Sequence, residues 1–140
     1  MEKIVILSGG FDPIHIGHIR MFKEAEKVGH VIVGLNSDEW LIRKKGKNFM
    51  SFNERCEVLE SIRYIDEVIK FNDADDTACR LIEKIVNRKY KYSNIYFGNG
   101  GDRTNQTTPE IEFCKNNNIE LLWNLGGGKI QSSSKLLKKW

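Results

Sequence analysis

The 140-residue chain has little of what would place it in a specialised class. Its three cysteines, Cys56, Cys79 and Cys114, are scattered. They form no metal-ligand spacing and no even set for disulfides, so reduced thiols in a cytoplasmic protein are expected. No apolar run approaches the length that spans a bilayer, and the N-terminus enters a strand pattern directly, without a cleavable signal. Internal repeats and low-complexity segments are absent. The formal charge of +3 is mild, and much of it sits in Arg43-Lys44-Lys45-Gly46-Lys47 and at Lys135, Lys138 and Lys139. That excess is too small to argue for nucleic acid, and it suits a small polyanion equally well. With 40% hydrophobic and 29% charged residues, the composition is that of one soluble globular domain, residues 1–140, long enough to bury a core.

What is there is an alternation of strand and helix signals. Residues 3–7 read as a buried strand. Ile16, Ile19, Phe22, Ala25 and Val28 recur at helical spacing, so 16–28 is an amphipathic helix that Gly29 ends. Residues 31–35 form the second strand, and Ser37 caps a short helix to about 43. A basic, irregular stretch covers 44–51. Ser51 or Asn53 caps a helix to about Arg63, with Val58, Leu59 and Ile62 inward. Residues 68–71, 95–97 and 119–123 are further strands, with helices at 75–88, at 108–117 behind Pro109, and after Ser132 or Ser133. Such alternation predicts a single Rossmann-like α/β domain: a parallel five-stranded sheet, ordered 3-2-1-4-5, with helices on both faces. Ligands then bind beyond the carboxyl ends of the strands, where residues 9–18, 98–103 and 126–134 should gather.

The most informative of these segments is Gly9-Gly10-Phe11-Asp12-Pro13-Ile14-His15-Ile16-Gly17-His18. A buried strand ends in two glycines, and a helix then begins with two histidines at i and i+3, which share one helix face. Gly17 between them leaves backbone open to a ligand. The amides and positive dipole end of a helix N-terminus favour an anion. Glycine turn, helix start and paired histidines together predict a phosphate site.

This segment resembles the H-x-G-H signature of the cytidylyltransferase-like nucleotidyltransferases. That superfamily includes glycerol-3-phosphate cytidylyltransferase, the heptose-phosphate adenylyltransferases and pantetheine-phosphate adenylyltransferase. The resemblance implies attack of one phosphate on the α-phosphorus of a nucleoside triphosphate, with pyrophosphate leaving. His15 and His18 are then phosphate donors, with Gly9, Gly10, Phe11 and Gly17 in the nucleotide-binding turn, Phe11 packed beneath it. Such a step needs positioning and charge stabilisation, with no covalent intermediate and no general base. Lys44 matches a family lysine that reaches the triphosphate. The similarity to the glycerol-phosphate enzymes runs without a gap from Ser37 through Arg55 and Arg63 to Val68. By resemblance, Arg55 and Arg63 meet the acceptor phosphate. Asp12, grouped with them, either holds the turn by hydrogen bonds or orients a metal through water.

Gly98-Asn99-Gly100-Gly101-Asp102-Arg103 resembles the family's base- and ribose-binding element, which implicates Gly98, Gly101 and Asp102. Lys129-Ile130-Gln131-Ser132-Ser133-Ser134 resembles its closing Ser/Thr motif, which implicates Lys129, Ser132, Ser133 and Ser134 in holding the β- and γ-phosphates. Here the chain departs from the glycerol-phosphate branch. The arginine before the last helix is missing, and Gly10 stands where that branch has threonine. Residues 33–38 and the Gly-Gly-Asp loop look more like the heptose adenylyltransferases. The expected reaction is therefore CMP transfer from CTP to a small phosphorylated alcohol or sugar, with ATP as the alternative nucleotide. Magnesium is implied by the triphosphate, not by any ligand cluster in the sequence. The expected partners are these two small molecules, neither nucleic acid nor membrane, and a homodimer follows from the resemblance alone. A nicotinamide-binding module is excluded, because the first loop lacks Gly-x-Gly-x-x-Gly. A non-catalytic nucleotide-binding protein is the remaining competitor.

Overall fold

In the computed structural model, residues 3–88, 94–100, 109–126 and 137 are described. The elements are β1 (Lys3–Gly9), α1 (Ile16–Val28), β2 (His30–Leu35), α2 (Asp38–Lys45), α3 (Phe52–Glu60), β3 (Glu67–Lys70), α4 (Cys79–Val86), β4 (Asn94–Gly100), α5 (Pro109–Asn116) and β5 (Glu120–Leu125). The five strands form one sheet ordered β3-β2-β1-β4-β5. Every pairing is parallel, with Ile4 opposite His30 and Ile95 on the two sides of β1.

β1 shows why the sheet is covered on both faces. Ile4, Val5, Ile6 and Leu7 are all buried, yet successive side chains point to opposite faces. Ile4 and Ile6 join Leu81, Ile82 and Ile85 of α4, with Cys114 of α5. Val5 and Leu7 join Phe22 and Ala25 of α1, with Leu59 of α3. Burying each such aliphatic side chain is worth about 1.5–3 kcal/mol. The chain reverses its winding direction at β1, between β2 and β4. The C-terminal edge of the sheet at that point is where an open α/β fold binds ligands.

Three helix boundaries differ from the sequence expectation, each for a local reason. α2 continues to Lys45, so Lys44 and Lys45 are helical and not part of an irregular loop; Gly46, at φ 84°, then ends the helix in the left-handed region. α3 is capped by Ser51 and stops at Glu60, because its last turn tightens to bonds from Ser61 N to Val58 O and from Ile62 N to Leu59 O. Its inward stripe runs through Arg55 and Leu59, which leaves Val58 on the exposed side. α4 begins at Cys79 and not near 75. The Asp75 carboxylate accepts from the Thr77 amide and hydroxyl, and this local turn competes with helix. The expected last helix, after Ser132 or Ser133, lies outside the described residues.

Candidate active site

The site starts where β1 ends. Phe11 sits at φ 50°, left-handed backbone uncommon for an aromatic residue. Its ring turns inward and is 5% exposed. It meets the His18 ring edge-on at 4.8 Å and the Phe22 ring at 5.4 Å. Phe11 packs beneath the turn, as expected of it, and supports it from below.

His15 is the N-cap of α1, in extended backbone. Its Nδ1 accepts from the Gly17 amide at 3.1 Å, and His18 Nδ1 accepts from the His15 amide at 3.2 Å. The two imidazoles thus form a reciprocal capping box, a role ordinarily filled by Ser or Thr with Glu or Gln. Their rings stack with centroids 3.8 Å apart. This geometry fixes chemistry. A neutral imidazole whose Nδ1 accepts a hydrogen bond carries its proton on Nε2. Both histidines therefore present Nε2–H as a donor, at the helix end that already favours anions. A Cβ on Gly17 would lie 2.9 Å from the His15 ring. The space expected to be open to a ligand is filled by the capping imidazole, and that is why a glycine stands there.

The next layer is a set of buried polar groups. Asp12 is 1% exposed, and its two carboxylate oxygens accept from the Phe49 amide at 2.6 Å and the Met50 amide at 2.7 Å. Of the two roles open to it in sequence, the structure shows the hydrogen-bonded one, so no acceptor contact is assigned to Asp12. Arg55 is 1% exposed. Its guanidinium donates to the carbonyls of Met50, Gly10 and Asn36, and to the Asp38 carboxylate at 2.7 Å. It is wrapped by the protein and is not displayed to an acceptor phosphate; this corrects the expectation. Asp73 takes Asn36 Nδ2, the Ser37 amide and the Ser37 hydroxyl. Sequence reasoning missed Asn36, Asp38 and Asp73. A polar residue just after a strand in this fold was the available signal.

Other expected residues fall as follows. Gly9 and Gly10 lie at the end of β1 and in the turn, Gly9 against the Phe11 ring and Gly10 against Leu41. Lys44 is exposed on the last turn of α2, with Nζ 6.0 Å from the Trp40 ring centroid. Arg63 belongs to the α3–β3 connection, at the N-terminal end of the strands, and pairs with the Tyr64 hydroxyl at 2.9 Å. Expected to meet the acceptor phosphate, it stands instead at the edge of the parallel sheet opposite the histidines. Gly98, expected near the base and ribose, is buried in β4, where a Cβ would lie 2.6 Å from both Leu125 and Leu7, so close packing requires glycine there. Gly126, at φ 81°, approaches the backbone of Arg20 and Met21. The chain thereby enters its last segment one turn along α1 from His18. Gly101, Asp102, Lys129, Ser132, Ser133 and Ser134 lie outside the described residues.

Fold and site together define a doubly wound α/β domain with a histidine-capped helix at its switch point. The model of the Cytidylyltransferase-like family matches residues 6–125, and the chain belongs to that family. The chain is 36% identical over 118 residues to the bifunctional protein HldE of Coxiella burnetii (strain Dugway 5J108-111), covering 82% of this chain and 23% of that protein. It is 41% identical over 68 residues to the glycerol-3-phosphate cytidylyltransferase of Bacillus subtilis (strain 168), covering 48% of this chain and 53% of that one. The chain thus spans about a quarter to a half of the length of these relatives. Among solved structures, the lipopolysaccharide core biosynthesis protein from Thermoplasma volcanium GSS1 shares the fold. The TM-score is 0.63 at 22% identity, covering 89% of this chain and 97% of that one.

Proposed function

We propose that this chain transfers CMP from CTP to a small phosphorylated alcohol or sugar and releases pyrophosphate. The observation that carries the reading is the pair of imidazoles locked as Nε2–H donors at the start of α1. An acceptor phosphate oxygen forms a bond to the α-phosphorus, and the bond from that phosphorus to the pyrophosphate oxygen breaks. Charge grows on the phosphoryl oxygens, and fixed donors at a helix N-terminus stabilise it without reorganising. The acceptor is already an anion, so no base is required. Lys44, exposed on the last turn of α2, is the cation assigned to the triphosphate, by its match to a family lysine.

Cytidine is favoured by the similarity to a glycerol-3-phosphate cytidylyltransferase. Adenosine is the second reading; it rests on residues 33–38 and the Gly-Gly-Asp loop, which look more like the heptose adenylyltransferases, and on Gly126-Gly127-Gly128-Lys129, where the glycerol-phosphate branch carries an arginine. Among the described residues, no group of three or more His, Cys, Asp or Glu side chains fits a metal ion, and the Asp12 oxygens already hold two amides. Magnesium enters this reading with the triphosphate, and no step is routed through it. A homodimer in the cytoplasm belongs to the same proposal; sedimentation of the pure protein and cell fractionation test those two parts.

The deciding experiment crosses CTP, ATP, GTP and UTP with glycerol phosphate, ethanolamine phosphate and sugar 1-phosphates, scored by pyrophosphate release. Release with CTP is expected. Release with ATP alone moves the protein to the second reading, and no release from any pair overturns the proposal.

A further inference from the structure

We propose that Arg55 is a positioning residue for His18, acting through the peptide between Gly10 and Phe11; this rests on the reading of His18 as a phosphate donor. The guanidinium binds three separate segments of the catalytic edge. Nη1 donates to Gly10 O at 2.9 Å and to Asn36 O at 2.8 Å, Nε to Met50 O at 3.1 Å, and Nη2 to Asp38 Oδ1 at 2.7 Å. The Gly10 carbonyl and the Phe11 amide belong to one planar peptide. The orientation of that plane is coupled to the left-handed φ of Phe11. Such backbone is strained and persists only where its surroundings over-determine it. Arg55 supplies the bond on the carbonyl side. The Phe11 ring then presents its contact to His18, 4.8 Å away and nearly perpendicular. A continuous path of contacts runs from the guanidinium to the imidazole.

Two features argue for arginine in particular. A planar fork serves several acceptors in fixed directions, whereas an ammonium is a point charge on a flexible stem. Met50 is held from both sides as well: Asp12 accepts its amide while Arg55 donates to its carbonyl. The segment after Lys44 is thus fastened to the same turn that carries the histidines.

Arg55→Lys is the test, with Phe11→Leu as the second variant. Imidazole nitrogen spectra of the protein without substrate report whether His18 keeps its Nε2–H tautomer, and they do not depend on activity. Loss of the single tautomer at His18 is expected in both variants. The kcat should fall at least about tenfold, since displacements near 1 Å cost up to about a hundredfold, while KM for the nucleotide moves less than about threefold. An unchanged His18 spectrum and unchanged kcat in folded Arg55→Lys, with only a lowered Tm, reduce Arg55 to a structural role and overturn the proposal. If Arg55→Lys does not fold, an unchanged His18 spectrum in Phe11→Leu does the same. A wild-type protein that releases no pyrophosphate with any substrate pair defeats the functional reading instead, and the tautomer measurement still decides the positioning.

Discussion

Histidines stand at both ends of this sheet, and their surroundings differ. At the C-terminal edge of the strands, His15 and His18 cap a helix, stack on one another and accept backbone amides through Nδ1. At the N-terminal edge, His30 lies between two carboxylates, 3.6 Å from Asp66 and 3.2 Å from Glu67, with Arg88 on the far side of Glu67. The first arrangement orients donors at a helix N-terminus, the end that favours an anion. The second compensates charge locally, as a surface ion pair does. Residue type alone does not separate these two settings; the partner at Nδ1 and the end of the sheet do.

The largest expected effect breaks this comparison most directly. His18→Ala should lower the rate of pyrophosphate release by on the order of a hundredfold or more, the usual cost of losing one transition-state donor, with the circular dichroism spectrum retained. His30→Ala should leave the rate per folded molecule within about twofold, because the sheet separates it from the chemistry. Comparable losses in the two variants would show that the ends of the sheet do not divide the labour as argued.

A similar divide runs through what the sequence made legible. Long apolar periodicities carried the sheet order and α1, because burial on two faces leaves β1 no polar position to confuse the pattern. Boundaries set by one side chain were not legible. Gly46 closing α2 and the Asp75–Thr77 turn delaying α4 are local competitions that periodicity averages away. At the site, the histidine pair and the helix start were readable from spacing alone. The fates of Asp12 and Arg55 were not. A charged residue that meets a ligand and one buried under the turn look alike in sequence, and only their partners, up to 45 positions away, distinguish them. Asp73, which reaches back 36 positions to Ser37, was invisible for the same reason.

Two aspartates sharpen the contrast at the next scale. Asp12 is buried and accepts two amides; Asp66 is 45% exposed and accepts one, from Val31. Asp12→Asn sets an amide NH2 against a backbone N–H that has no water to turn to. A loss of about 2 kcal/mol in urea unfolding is expected, and less than about 1 kcal/mol for Asp66→Asn, where solvent replaces the lost acceptor. Equal losses would mean that the buried layer under the histidine turn is no more tightly determined than the opposite end.

Within the C-terminal edge, the lysines divide in the same way. Lys44→Ala should raise KM for the triphosphate about tenfold, a change of about 1.4 kcal/mol. Lys47→Ala, one residue beyond the helix-ending Gly46, should change it less than about twofold. Nucleotide titrations of both variants check this; equal, small effects would return the basic segment to a solvated surface.

The smallest expected effect lies at the far end. Burial of Glu67 pushes its carboxyl upward, but hydrogen bonds from Arg88 and His30 together outweigh that and hold it below the ordinary glutamate value of 4.5. A carboxylate depressed in the folded state stabilises the protein above its unfolded value, and the contribution is lost as pH falls through the folded one. Wild type should therefore exceed Glu67→Gln in stability at pH 7 by about 0.5 kcal/mol, the scale of a half-exposed ion pair. The gap should close below about pH 4.5, as the wild-type carboxyl takes up its proton and becomes, like glutamine, neutral. Urea midpoints of both proteins between pH 7 and pH 3 measure this. A gap that widens in acid would give Glu67 the opposite sign, and a fall in turnover at pH 7 would tie this end of the sheet to the reaction, against the separation drawn from the histidines.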